Sequence, residues 1–349
     1  MNRSYQITID GSTFRAPGGA LLLDAALSNG IDLPYDCRAG HCGTCRLRLV
    51  SGQVKGGQGT EPGVVHACQC RIAGDIVVEC GTPPRVRTVE GILSSLSQLS
   101  SDVFEAGITT RSELPHHAGQ YAQVHFNGFP SRPLSITHRL SASSDSCSIF
   151  FHVRRMPNGR VTSSLGTSIM PGHRVKLTGP YGSAFFRPNL QGRLILVATN
   201  TGFAPIWSIA AAALRDNPER RMMIIAGGRK LTSLYMGPAL ARLAMFPNVL
   251  VVPVCSTPQT ITQAVLSGRP TDYLPHFLPG DVLYACGAPE MVDAVRAIAA
   301  RAGVVCYADP FLPAKHDSIE EPVLLRARQW LALPATRLSR QPALLGPDH

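Results

Sequence analysis

Over residues 1–80 apolar and polar positions alternate in short runs. Tyr5–Ile9 and Thr13–Ala16 read as a hairpin turning at Asp10-Gly11, and Leu21–Ser28 as a short apolar helix stopped before Gly30. Arg46–Val50 and Ile76–Glu79 read as further strands. Between Thr88 and Arg187 short apolar runs are separated by Gly, Pro and Ser turns, the profile of a small antiparallel barrel. From Arg193 the pattern lengthens. Strands at Leu194–Ala198, Met222–Ala226, Val249–Val254, Asp281–Cys286 and Val304–Tyr307 alternate with helices at Pro205–Arg215, Pro238–Met245 and Pro289–Arg301. Such alternation predicts a parallel sheet covered by helices on both faces. The divisions expected are 1–83, 84–190 and 191–312, with Pro83-Pro84 as a linker. An extension, 313–349, has no assigned role; Glu321–Leu331 reads as a helix within it.

Composition narrows the partners. The 349 residues are 44% apolar and 16% charged, which excludes a disordered chain and suggests two or three domains. Thirty-three basic against 23 acidic residues give a net charge of +10. Residues 1–81 hold seven of each sign, whereas 82–312 hold twenty-one basic and twelve acidic side chains. The longest basic runs are pairs, Arg154-Arg155, Arg220-Arg221 and Arg229-Lys230, so nucleic acid is not expected. Phosphate-bearing cofactors or an acidic protein partner fit the surplus better. The most apolar window, Leu194–Leu214, is broken by Asn200, Gly202 and Pro205, which argues against a membrane span. No charged-then-apolar leader opens the sequence, and a cytoplasmic location is expected. Ten cysteines there point to metal or redox chemistry more than to disulfides.

Four of those cysteines are grouped. Cys37, Cys42 and Cys45 are spaced C-x4-C-x2-C, with Cys68 following at a distance, the plant-type ligand pattern of a 2Fe-2S cluster. Gly40 and Gly43 allow the loop to turn its amides toward sulfur. Structural zinc is the competitor, but it more often uses two C-x2-C pairs and only one is present. Cys70 is an alternative fourth ligand to Cys68. Cys70, Cys80, Cys147, Cys255 and Cys306 read otherwise as small buried apolar residues.

These first eighty residues resemble a plant-type ferredoxin domain of β-grasp fold. The resemblance makes Cys68, in Ala67-Cys68-Gln69, the fourth ligand. Only 22 residues separate Cys45 from Cys68, fewer than is usual, which predicts a more exposed cluster. In the next region Gly119-Gln120-Tyr121, Arg132-Pro133-Leu134-Ser135, Phe151–Arg155 with Gly159-Arg160-Val161-Thr162, and Gly179-Pro180-Tyr181-Gly182 occur in the order found in the flavin domain of the ferredoxin–NADP reductase superfamily. That is a six-stranded antiparallel barrel. By this resemblance Arg132 contacts the flavin phosphates and Ser135 hydrogen-bonds near flavin N5. Gly159, Arg160, Val161 and Thr162 hold the pyrophosphate. Leu134 replaces the aromatic that usually packs on the flavin.

The turn after the first strand of the last region reads Asn200-Thr201-Gly202-Phe203-Ala204-Pro205 and lacks G-x-G-x-x-G. Its Thr201, Gly202, Ala204 and Pro205 match the superfamily's own phosphate turn, at the N-terminus of a helix that faces the cofactor phosphates. Asn200 stands where glycine is expected, and asparagine tolerates positive φ. At the end of the second strand Gly228-Arg229-Lys230 has no carboxylate, which favours NADPH, while relatives with an arginine there often prefer NADH. The donor stays open between the two. Cys286 and Gly287 match the superfamily's Cys-Gly turn, and Asp309 and Phe311 its closing segment. Ser135, Cys286, Asp309 and Phe311 are thereby implied around the hydride path.

Residues 1 to about 312 as a whole resemble the reductase components of bacterial aromatic ring-hydroxylating dioxygenases, of the naphthalene type. That resemblance implies an oxidoreductase that takes electrons from NAD(P)H through FAD and the 2Fe-2S cluster to a ferredoxin or terminal oxygenase. FAD rather than FMN follows from the N-terminal position of the ferredoxin domain, and a monomer is implied. Alternatives are a reductase for a deoxysugar dehydratase or soluble monooxygenase, or a non-enzymatic iron-sulfur carrier or sensor.

Overall fold

The Asp10-Gly11 turn closes a two-residue hairpin between β1 (Ser4–Ile9) and β2 (Ser12–Pro17), both turn residues having positive φ, 48° and 84°. In the computed structural model the described residues are 3–312 except 32, 60–62, 81–84, 140–144, 189 and 258–263. The Pro83-Pro84 linker and the Glu321–Leu331 helix expected from sequence lie outside them. After β2 come α1 (Leu22–Ser28), β3 (Arg46–Lys55), β4 (Val64–His66) and β5 (Arg71–Glu79). They build a five-stranded sheet, order β2-β1-β5-β3-β4, with β1 parallel to β5. Helix α1 buries Leu22, Leu23, Ala25 and Ala26 on it.

Strands β6 (Arg87–Gln98), β7 (Val103–Thr110), β8 (Tyr121–Phe126), β9 (Arg132–Thr137), β10 (Ser148–Arg154) and β11 (Arg174–Tyr181) close the antiparallel barrel that sequence reading predicts, in the order β10-β7-β6-β11-β8-β9. Its interior is filled by residues such as Leu93, Ile108, Val124, Phe126, Phe151 and Leu177.

The last unit runs β12 (Leu194–Thr199), α2 (Phe203–Asp216), β13 (Met222–Gly228), α3 (Gly237–Ala244), β14 (Val249–Cys255), β15 (Leu266–Ser267), β16 (Val282–Gly287), α4 (Pro289–Ala302) and β17 (Val305–Pro310). The parallel sheet has the order β15-β14-β13-β12-β16-β17. Leu196, Ile224 and Tyr284 face one buried core and Val197, Ile225 and Leu283 the other, as a sheet covered on both faces requires. The strand order reverses between β12 and β16, and the crevice beyond their carboxyl ends is where ligands bind in this architecture.

The barrel and the parallel sheet are fastened through α2. Thr137 donates to the Ala204 carbonyl at 2.9 Å, Ser208 to that of Ile136 at 3.0 Å, and the Trp207 indole to that of His138 at 2.9 Å. The end of β9 and the start of α2 therefore move together.

Candidate functional site

The loop bearing Cys37, Cys42 and Cys45 curls through left-handed conformations at Arg38, Gly40 and Gly43, with φ of 51°, 76° and 65°. Bare backbone is needed at the glycines. A Cβ on Gly40 would lie 2.9 Å from Gln69 Cγ, and one on Gly43 only 2.2 Å from Ser183 Oγ. The curl turns amides toward sulfur: Ala39 and Cys42 N–H donate to Cys37 Sγ at 3.4 Å, and Thr44 N–H to Cys42 Sγ at 3.5 Å.

The thiols fall into two neighbouring pairs, Cys37 with Cys42 and Cys45 with Cys68. The Cys42 thiol, aided by backbone amides, pushes Cys37 down to about 5 despite burial. The Cys45 thiol does the same for Cys68, to about 6. Two thiol pairs with two sulfurs biased toward thiolate suit a two-iron centre. Cys70 lies in the core against α1 and β1, its thiol pushed up to about 12 by burial.

Only Cys37 is half-exposed; Cys42, Cys45 and Cys68 are buried. The short 46–67 spacing predicts a more exposed centre, and the loop also receives cover from outside the first eighty residues. Ser183 lies against Gly43, and Arg296 of α4 donates to the His41 carbonyl at 3.2 Å. Of the other cysteines, Cys255 and Cys306 are buried as expected, while Cys80 and Cys147 are half-exposed, a correction to their reading as core residues.

On the barrel, β9 carries Arg132 at its start and Ser135 near its end. Ser135 is buried and stands opposite Tyr121 of β8. Because Phe151 pairs antiparallel with Ile136, the end of β10 returns beside the start of β9. This brings the Gly159–Thr162 turn to Arg132's end of the barrel. The turn is tight: a Cβ on Gly159 would lie 2.2 Å from Thr162 Oγ1, which accepts from the Met156 amide at 3.1 Å. Arg160 is exposed, Val161 is buried in the barrel core, and half-buried Leu134 packs against that core. A guanidinium and a glycine turn at one end of β9, with a buried hydroxyl toward the other, are the group types that pair with phosphate and ring polar atoms.

In the crevice, Asn200 has φ 51°, the conformation that its tolerance of positive φ permits, and with Thr201 and Gly202 it forms a 3-10 turn into α2. No side chain caps α2, and the Phe203 amide at its start donates back to the Asn200 and Thr201 carbonyls. Ala204 and Pro205 are buried in the first turn. Gly202 touches the Cys-Gly turn, since a Cβ on it would fall 2.2 Å from the Cys286 carbonyl oxygen. Thr199 Oγ1 accepts from the Ala288 amide at 2.9 Å and fixes the same turn. The cleft beside it is lined by Asn200, Phe203, Gly227, Ser233 and Tyr235, and Arg229 and Lys230 are exposed beyond its edge.

Cys286 and Asp309 stand opposite each other on β16 and β17, both buried. Burial pushes the Cys286 thiol well up and lifts the Asp309 carboxyl to about 7 against the pull of Arg296; Asp36 and Cys37 add to Asp309's rise. Asp309 is thus electrostatically close to the cysteine loop as well as to the crevice. The half-buried Phe311 is held by its amide donating to the Gly287 carbonyl at 2.7 Å. Sequence reading missed Asp36 and Arg296, which carry no motif, and it placed Tyr121 in a flavin-domain motif without its bond to Asp36; the three residues join the units.

A groove of about 570 Å³ on the barrel is lined by Glu90, Arg111, His125, Arg174 and Lys176. It holds none of the residues above, and Glu90 already answers Arg111 and Lys176.

Three family models match: a 2Fe-2S iron-sulfur cluster binding domain over residues 7–73, an oxidoreductase FAD-binding domain over 90–186 and an oxidoreductase NAD-binding domain over 196–297. The chain is 30% identical over 313 residues to the Pseudomonas putida naphthalene 1,2-dioxygenase system ferredoxin–NAD(P)+ reductase component, covering 84% of this chain and 94% of that one. It is 29% identical over 322 residues to the xylene/toluene monooxygenase electron transfer component of the same species, covering 86% and 91%. The crystal structure of an Amycolatopsis cytochrome P450 reductase superposes with TM-score 0.66 at 28% identity, covering 89% of this chain and all of that one.

Proposed function

Since the chain belongs to the family of ferredoxin–NAD(P)+ reductase components of aromatic oxygenase systems, we propose that it passes electrons from NAD(P)H to the oxygenase side of such a system. Its cofactors are a 2Fe-2S cluster, FAD and NAD(P)H. The observation that carries the reading is convergence. The cysteine loop, the β8–β9 strand pair and the ends of β16 and β17 meet around Asp36, Tyr121 and Asp309.

Cys37, Cys42, Cys45 and Cys68 would hold the cluster, and the amides of Ala39, Cys42 and Thr44 would lower the charge felt at its sulfurs. Arg132, Gly159, Arg160, Val161 and Thr162 would hold the flavin pyrophosphate, with Leu134 and Ser135 along the ring. Thr201, Gly202, Ala204 and Pro205 would bind the nucleotide phosphates, with Arg229 and Lys230 at its far end. Bound there, the flavin supplies the exchange between a two-electron hydride and single electrons. Cys286, Gly287 and Phe311 shape the place where the nicotinamide would meet it. Cys286, held as a neutral thiol, and Asp309, poised near neutrality, keep charge low beside the path. Ferredoxin-like, barrel and nucleotide units correspond to 1–83, 84–190 and 191–312.

The acceptor is a ferredoxin or a terminal oxygenase, and the basic surplus of residues 82–312 suits an acidic one. Among the described residues no helix is long and apolar enough to cross a membrane. Thiolate-held iron and a nicotinamide donor suit a reducing compartment such as the cytoplasm.

The test is reduction of a one-electron protein acceptor by NADH and by NADPH, with Cys68→Ser in parallel. Wild type is expected to reduce it, and Cys68→Ser to lose that transfer while still reducing ferricyanide. Equal protein-acceptor rates for the two would refute the proposed order of cofactors.

A further inference from the structure

The loop that carries three of the cysteines is gripped from outside its own unit. Asp36, one residue before Cys37, accepts a hydrogen bond from the Tyr121 hydroxyl at Oδ2 and one from Gln123 Nε2 at Oδ1, the latter at 3.1 Å. Ser131 Oγ donates to Gln123 Oε1 at 3.2 Å and so orients the amide. Both donors stand on β8, where Tyr121 faces Ser135 and Gln123 faces Pro133 of β9. Asp36 therefore ties the start of the cysteine loop to the strand pair assigned to the flavin. Burial, then the charges of Cys42, Asp309 and Asp36, hold the Tyr121 phenol far above its usual range, so it stays a donor at any working pH.

Other bonds hold the middle of the loop. Gly182 N–H donates to Thr44 Oγ1 and Ser183 N–H to the Cys42 carbonyl, each at 3.1 Å, and Arg296 reaches the His41 carbonyl. None of these touches the residues before Cys37. At that point two side-chain donors converge on one half-buried carboxylate, each on its own oxygen. Two such bonds fix both the distance and the orientation of the residue that leads into Cys37.

We propose that Asp36 is the positioning residue of the flavin-to-cluster step, clamping the loop of Cys37 to β8 through Tyr121 and Gln123 so that electrons cross without movement of the ferredoxin domain. This rests on the function proposed above. Each event moves one electron, oxidising the reduced flavin and reducing one ferric ion of the cluster. No bond is made or broken at Asp36 or Tyr121.

Asp36→Ala removes the acceptor, and Tyr121→Phe removes one donor but keeps the ring. Asp36→Asn is the rescue: it loses the charge yet can answer both partners, because Gln123 can turn its amide. The flavin of the holoprotein is reduced by light with a sacrificial donor, so that no nucleotide is needed, and cluster reduction is timed. Amide hydrogen exchange of residues 37–44 is measured on the same samples. Asp36→Ala is expected to slow cluster reduction about tenfold or more, as a loss of positioning does, while flavin reduction by nucleotide stays within about twofold. Tyr121→Phe is expected to slow cluster reduction in the same direction. Exchange in 37–44 rises in both, and Asp36→Asn stays close to wild type. Cluster reduction and exchange at wild-type values in Asp36→Ala and Tyr121→Phe would overturn the proposal. So would an Asn variant as slow as Ala. If Asp36→Ala loses iron, Tyr121→Phe decides. A wild type whose flavin no nucleotide reduces would sink the proposed function instead, and the light-driven and exchange measurements would still decide the role of Asp36.

Discussion

A single methyl group at Gly202 should uncouple the nucleotide from the flavin. The Cβ of Gly202→Ala would lie 2.2 Å from the Cys286 carbonyl oxygen, 2.5 Å from its carbon and 2.7 Å from Gly287 Cα. All three are backbone atoms and none can rotate away, so the start of α2 and the end of β16 must separate by about 1 Å to restore contact distances. Overpacking of this kind costs about 1–3 kcal/mol, which a unit with two buried cores on one sheet can absorb. The gap opens between the phosphate turn and the Cys286-Gly287 turn, and a misplacement of about 1 Å in a positioned reaction costs roughly 100-fold. Stopped-flow reduction of the flavin by NADH or NADPH reads this directly. The variant is expected to bind flavin and iron normally, to lose about one to two orders of magnitude in nucleotide-driven flavin reduction, and to keep light-driven electron transfer to the cluster. Nucleotide-driven reduction at the wild-type rate would refute the assignment of the crevice.

Cys68→Ser should abolish the cluster's visible absorption and iron content, whereas Cys70→Ser should retain both and only lower the melting temperature; the reverse pattern would make Cys70 the ligand. Asp309 titrates near 7 in the folded chain against an ordinary 3.8, so the folded state holds the extra proton and its contribution is complete below about pH 4. That contribution falls as pH rises through 7, by roughly 4 kcal/mol at most. Melting temperatures measured from pH 5 to 8 should therefore fall less in Asp309→Asn than in wild type, and parallel curves would contradict the raised carboxyl. Replacing both Arg229 and Lys230 by Ala should weaken NADPH more than NADH, read as KM for each; an equal loss would place these side chains away from the 2′-phosphate.

Much of this was legible because local chemistry forced it. Asp10-Gly11 dictates its hairpin, Asn200 takes the positive φ that few other residues accept, and C-x4-C-x2-C can hardly be read apart from a cluster. Strands run past their expected ends where local turn signals conflict with pairing. The Ser51-Gly52 pair reads as a turn, yet β3 continues to Lys55 through two register shifts, with Gly52 accommodating the Asp75 carbonyl. The three-residue β4 and two-residue β15 are too short to leave a period. The cover over Cys42, Gly43 and Cys45 was not legible at all, since it includes Ser183 and Arg296, far along the chain. The Asp36–Tyr121 bond spans 85 positions and involves two residues that any surface strand or loop can carry.

The central claim is that one chain holds a nucleotide-reducible flavin and a cluster in electronic contact. Anaerobically purified protein should contain two irons and one flavin, on the order set by its cofactor classes. Its visible spectrum, recorded before and after stoichiometric NADH or NADPH, is the direct measurement. The account predicts that flavin and cluster absorption both bleach. Iron without flavin, or no bleaching by either nucleotide, would contradict it and leave an iron-sulfur carrier or sensor.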